Sequence, residues 1–185
     1  MRFSTPWFAP EPFPDLGGSA ISESFRAVLG STDSLTRRLE LLTGASGRVR
    51  LEEQATLPEW EDLPEIWPPE YRMEPSGPIM TRNAWLALGG RDLLFAHSQL
   101  LLAGMEETTR QAIRRGEQPI GSLFLARDEQ MRRQRLQLAL AISPALAARQ
   151  GLPEDHRFFA RRSLFFVADA LRGRILELFW SDLTA

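Results

Sequence analysis

Residues 79–102 read Ile79-Met80-Thr81-Arg82-Asn83-Ala84-Trp85-Leu86-Ala87-Leu88-Gly89-Gly90-Arg91-Asp92-Leu93-Leu94-Phe95-Ala96-His97-Ser98-Gln99-Leu100-Leu101-Leu102. Two apolar runs, 79–88 and 93–102, flank Gly89-Gly90-Arg91-Asp92, and this pattern predicts a β-hairpin. Side chains alternate along a strand, so Met80, Arg82, Ala84, Leu86 and Leu88 share one face of the first run. On the return run His97 sits between Phe95 and Gln99 on a common face. A lone His in that setting is more often a hydrogen-bonded structural residue than a catalyst. A second hairpin is expected from Phe158–Ala168 and Leu171–Trp180, turning through Asp169-Ala170-Leu171-Arg172-Gly173. There Ile175, Glu177 and Phe179 fall on one face. Arg82 and Glu177 are thus lone charges in apolar company. Burying either is costly without a partner. Either they form a structural ion pair, or they face a pocket that holds a polar ligand.

The remaining segments extend this frame. Ser22–Leu29 and Asp33–Thr43 read as amphipathic helices, the second with Ser31 or Thr32 as its cap and Gly44 at its end. Arg48–Leu57 reads as a strand. Met105–Arg115 reads as a helix stopped by Gly116, and Pro119 starts a short helical turn through Phe124. Arg132–Ile142 suits a strand with Leu136, Leu138, Leu140 and Ile142 on the face of Arg132 and Gln134. Pro144–Gln150 is a short helix or turn. Residues 1–18 carry four prolines, three phenylalanines and a tryptophan, and read as an irregular arm. Residues 58–78 hold six prolines, with Trp60, Trp67 and Tyr71 between them as anchors. Strands joined by hairpins and helices in two clusters predict an α+β fold. It has a single antiparallel sheet of about six strands, covered on one side. The 185 residues fit one domain.

Composition narrows the chemistry. There is no Cys, and all 22 basic residues are Arg. Thiolate nucleophiles, Schiff-base lysines and the P-loop lysine are therefore excluded. His97 and His156 are the only histidines and lack a metal-ligand spacing. An enzyme built from this chain is expected to use no metal and no organic cofactor. A net charge of −2 gives no reason to expect nucleic acid. No apolar run reaches membrane-spanning length and the N-terminus lacks a signal-peptide core, so a cytoplasmic protein is expected. Arg161-Arg162-Ser163 would usually be a solvated strand end, and either arginine could equally bind an anion.

A series of short blocks runs in order from about Thr32 to Trp180. It comprises Asp33-Ser34-Leu35-Thr36-Arg37-Arg38-Leu39, Arg82 four residues into its strand, Phe95-Ala96-His97-Ser98, Gln118-Pro119-Ile120-Gly121, Arg161-Arg162-Ser163 and Leu176-Glu177-Leu178-Phe179. The series resembles the chorismate pyruvate-lyase (4-hydroxybenzoate synthase) family. The resemblance implies an antiparallel sheet with two helical flaps over a small aromatic acid. It implies that Arg82 binds the ring carboxylate, that Glu177 meets the ring hydroxyl, and that Leu35 and Ile120 close over the ring. It further implies conversion of chorismate to 4-hydroxybenzoate and pyruvate, feeding quinone biosynthesis. A monomer is expected. Family enzymes carry Arg where this chain has His97. On this reading His97 would contact the enolpyruvyl carboxylate or donate a proton as pyruvate leaves. The turn at 169–173 is one residue longer than in the family. The alternatives are a non-catalytic binding domain for a small aromatic carboxylate and a lyase giving another hydroxybenzoate isomer.

Overall fold

The computed structural model describes residues 1–14, 16, 21–71, 77–125 and 131–180. Residues 15, 17 and 18 of the expected arm and 72–76 of the proline-rich connection lie outside that set. The elements are β1 (Arg2–Phe3), α1 (Glu23–Leu29), α2 (Leu35–Thr43), β2 (Gly47–Leu57), β3 (Ile79–Leu88), β4 (Arg91–Leu101), α3 (Glu107–Arg115), α4 (Ile120–Leu125), β5 (Met131–Ile142), α5 (Pro144–Arg149), β6 (Arg157–Val167) and β7 (Ala170–Phe179). The strands form one antiparallel sheet in the order β1-β5-β6-β7-β4-β3-β2. The fold is α+β, with seven strands among the described residues where about six are expected. The additional strand comes from the arm, where Arg2 and Phe3 pair with Ile142 and Ala141.

Both faces of the sheet are covered, not one. On the first face, Phe25, Val28 and Leu29 of α1 and Leu35 and Leu39 of α2 pack on Leu86, Leu94, Leu138, Leu140 and Phe179. Beside them Ile113 of α3 and Leu123 and Phe124 of α4 pack on Met80, Leu100, Phe165 and Ile175. The second face is filled by Trp67 and Tyr71 of the proline-rich connection and by Leu146 and Ala147 of α5, against Trp85, Phe158, Leu176 and Leu178. Aromatic anchors give that connection its place despite its lack of regular structure.

Local chemistry explains the element ends. Gly44 and Gly116 stop α2 and α3 in the left-handed conformation, at φ 68° and 70°. The cap of α2 is Ser34, whose Oγ accepts from the Arg37 amide; the expected Ser31 and Thr32 lie earlier, in the α1–α2 connection. The β3–β4 turn is the pair Gly89-Gly90, both at positive φ, as a two-residue hairpin with primed-turn geometry needs. The β6–β7 turn is Ala168-Asp169, also at positive φ, and not the five residues 169–173. The surplus residue is taken up within β7: Phe166 faces Leu171 and Phe165 faces Gly173, leaving Arg172 as a bulge. Register is restored before Glu177, which faces Arg161 on one side and Ala96 on the other.

Gly173 pairs with Leu100 where β7 leaves no room for a side chain against β4. A Cβ there would lie 2.2 Å from the Gln99 carbonyl oxygen and 3.0 Å from Leu100 Cδ2. Gly173→Ala therefore forces the two central strands apart. It should cost about 2 kcal/mol or more. A thermal melt checks this: a markedly lower Tm is expected, and an unchanged Tm would show that the strands can part freely.

Candidate functional site

The first face of the sheet carries a cavity at the junction of its two apolar clusters. Its floor includes Arg82, Ala84, Ser98, Ile175 and Glu177, and its roof includes Leu35 and Thr36 of α2 and Ile120 of α4. It has about 490 Å³ of free space including its open mouth. The two roof helices meet at Gly121, where a Cβ would stand 2.8 Å from Ser34 Oγ. Only a residue without a side chain lets the helices close to this distance.

Strand register explains which charges reach the cavity. Arg82 faces Ser98, Ser98 faces Ile175, and Glu177 is two residues further along β7. Two strand spacings of about 4.8 Å and two residues of about 3.4 Å put the Cα atoms of Arg82 and Glu177 roughly 12 Å apart. They share a cavity without forming a pair. Arg82 is 2% exposed. Its Nη2 donates to the carbonyls of Gly116 and Gln118, at 3.2 and 3.4 Å, just beyond α3. Its Nε has no partner, and no carboxylate pairs with it among the described residues. Desolvation lowers its pKa to about 10, which still leaves it charged at neutral pH.

Glu177 is held from two sides. Arg133 Nη2 donates to its Oε1 at 2.9 Å, and Arg161 Nε stands 2.9 Å from its Oε2. Arg133 also lines the cavity and donates through Nη1 to Ser163 Oγ. Arg161 is fully buried behind Glu177. Burial pushes its pKa down to about 10, with Glu177 opposing the shift and Arg133 adding to it. Arg82 and Glu177 do not pair with each other; both line the cavity. The ion pairs of Glu177 are with Arg133 and Arg161, and Arg82 is left over.

Arg133 escapes a reading by alternation. Gln134 faces Leu164 and Gln137 faces Arg162, so β5 carries one residue more than β6 at this point, and Arg135 adopts φ 51°. This bulge reverses the parity. Arg133, and not Arg132 or Gln134, shares a face with Leu138 and Leu140.

His97 is a correction. It faces Asn83 and Leu176 on the second face of the sheet, away from the cavity. Its Nδ1 is 2.8 Å from Asn83 Oδ1, and its Nε2 is 3.2 Å from Gln99 Nε2 and 3.4 Å from Glu61 Oε2. An unbulged Gly89-Gly90 hairpin would set His97 opposite Arg82. The actual pairing steps from Ala87–Asp92 to Leu86–Leu94, so Leu93 is an extra residue and Ser98 takes that place. His97 is not among the residues that line the cavity. Among the described residues no cluster of three His, Asp or Glu could hold a metal, and no helix is long and apolar enough to cross a membrane.

Comparison with known proteins agrees with this architecture. The family model described as chorismate pyruvate-lyase Rv2949c-like matches residues 29–185. This chain belongs to that family. Solved structures with the same fold include PhnF from Mycobacterium smegmatis, 16% identical with a TM-score of 0.59 over 82% of this chain and 65% of that one. The effector domain of PhnF from the same organism is 15% identical, with a TM-score of 0.56 over 83% and 91%. A GntR-family transcriptional regulator from Enterococcus faecalis V583 is 7% identical, with a TM-score of 0.50 over 72% and 93%. At these identities the likeness is one of fold. The family member spans slightly less than two thirds of the PhnF chain. No curated protein matches it significantly.

Burial lowers the pKa of His97, with Arg174 adding to the shift and Glu61 and Glu53 opposing it. A folded-state pKa below the unfolded value near 6.5 favours the neutral ring. Its contribution to stability is complete above that pH and is lost as pH falls through the lower folded value. His97→Gln should lower Tm at neutral pH, flatten the fall in Tm as pH drops below about 6.5, and leave ligand affinity unchanged. Melts across that range, with calorimetric titration at neutral pH, check all three. Loss of ligand affinity in the variant would return His97 to the site.

Proposed function

We propose that this protein is a chorismate lyase that converts chorismate to 4-hydroxybenzoate and pyruvate. The observation that carries the reading is Arg82, a buried cavity guanidinium that no carboxylate pairs with among the described residues. A planar ring carboxylate would supply the missing charge through parallel hydrogen bonds. Arg133 would offer a second cation to the enolpyruvyl carboxylate. Glu177, fixed by two guanidiniums, would accept a hydrogen bond from the hydroxyl that the product retains. Leu35 and Ile120 would cover the ring faces and exclude water.

The chemistry asks little of the protein beyond placement. The ring C–O bond to the enolpyruvyl oxygen breaks, and the carbon bearing the hydroxyl loses its proton. The departing enol takes up a proton and becomes pyruvate, so atoms and charge balance. Aromatisation drives the step, and holding the substrate in a reactive conformer would supply much of the acceleration. The aromatic acid would feed quinone biosynthesis.

A second reading, a non-catalytic binding domain for a small aromatic carboxylate, is favoured by the fold shared with the effector domain of PhnF. It keeps Arg82 as the anion anchor and dispenses with turnover. Incubation with chorismate followed by chromatography separates the two. Equimolar 4-hydroxybenzoate and pyruvate are expected. Tight binding without product would favour the second reading, and a different hydroxybenzoate would change the assigned isomer. Arg82→Ala should weaken 4-hydroxybenzoate binding by about 1.5–3 kcal/mol, the loss of a charge-assisted pair. Unchanged affinity by calorimetry would remove Arg82 from the site.

A further inference from the structure

Arg161 is fully buried and outside the cavity lining, yet it touches both the cavity carboxylate and the root of a roof helix. Its Nε stands 2.9 Å from Glu177 Oε2. Its Nη1 donates to the Val28 carbonyl at 2.8 Å, and its Nη2 to the Ser31 carbonyl at 2.9 Å. Val28 lies in the last turn of α1, and Ser31 lies in the connection that leads into α2. The next residue, Thr32, is fixed by the other arginine of the pair, since the Arg133 amide donates to its carbonyl at 2.8 Å. Both residues whose side chains grip Glu177 therefore also hold the lead into α2, Arg161 through its guanidinium and Arg133 through its backbone amide. From that root α2 sends Leu35 and Thr36 over the cavity.

We propose that Arg161 is a positioning residue that ties the lid helix α2 to the carboxylate of Glu177, so that a ligand engaging Glu177 also fixes the lid. A planar fork is required, because one group must serve a carboxylate and two carbonyls in different directions. Lysine would preserve the charge beside Glu177 but not the fork. The lid would then be loose while the ion pair survived. Two hydrogen-bonded tethers reach this connection from the sheet, the Arg161 guanidinium and the Arg133 backbone amide, and of these two groups only the guanidinium also contacts Glu177. The part that concerns ligand contact rests on the reading of the cavity given above; the tether itself does not.

Hydrogen exchange on the full chain tests the tether. In ligand-free Arg161→Lys, amides of α2 should exchange at least tenfold faster than in wild type, while amides of β3 and β4 keep their rates. In wild type, saturating 4-hydroxybenzoate should slow α2 exchange about tenfold, and in Arg161→Lys less than twofold. Arg161→Lys with α2 exchange unchanged in the free protein overturns the proposal, as does full ligand protection of α2 in the variant. If wild type shows no binding of 4-hydroxybenzoate, the substrate reading fails and the ligand-free comparison still decides the tether. Should Arg161→Lys not fold, the charge-balanced pair R161M/E177Q replaces it, with the same tenfold gain in α2 exchange expected and unchanged exchange overturning the proposal.

Discussion

A carboxylate gripped by two buried guanidiniums sets the constraints under which the rest of this structure is arranged. Glu177, Arg133 and Arg161 are each less than 10% exposed. Removing one member of such a group leaves a buried charge uncompensated, at a cost of about 3–5 kcal/mol. The group therefore fixes its strands. It joins β5, β6 and β7 across their first face, and through Arg161 it holds the end of α1. The three charges sum to one positive charge. Arg82, two strands away, adds another. Buried cations in excess of buried anions are the physical reason to expect an anionic ligand here.

The two faces of the sheet divide the polar burden differently. On the second face, every large buried cation stacks on aromatic rings and finds backbone carbonyls. Arg174 lies over Trp60 and Trp67 and donates to the Glu61 carbonyl; Arg162 lies over Trp7 and Tyr71 and donates to the Ile66 carbonyl. These contacts fasten the proline-rich connection and the arm, and they are satisfied without a ligand. On the first face, among the described residues, Arg82 has two long carbonyl contacts and no carboxylate partner. The same residue type thus serves packing on one side and recognition on the other.

Much of this was legible in the sequence because alternation and turn chemistry are local. Gly89-Gly90 announced its hairpin, Gly44 and Gly116 their helix ends, and the lone charges Arg82 and Glu177 their shared face. What failed did so at bulges. One extra residue at Leu93 moved His97 from beside Arg82 to the other side of the sheet, and one at Arg135 brought Arg133 inward. A bulge has little signature in a strand of ordinary residues, and a single step reverses every side chain beyond it. Arg161 was marked as a possible anion ligand, but its partner carbonyls on α1 depend on how a helix docks over the sheet. Covering of the second face was missed for a related reason: the arm and the proline-rich connection have no periodicity to reveal which side they take.

The central claim is that Arg82 and Glu177 bound one buried site for a planar hydroxy acid. A crystal structure of the protein with 4-hydroxybenzoate tests it most directly. The account predicts the ring under Leu35 and Ile120, its carboxylate on Arg82 and its hydroxyl within hydrogen-bond distance of Glu177. A ligand seated instead in the open groove lined by Arg37, Arg38 and Leu41 between α1 and α2, with the cavity unfilled, would contradict it.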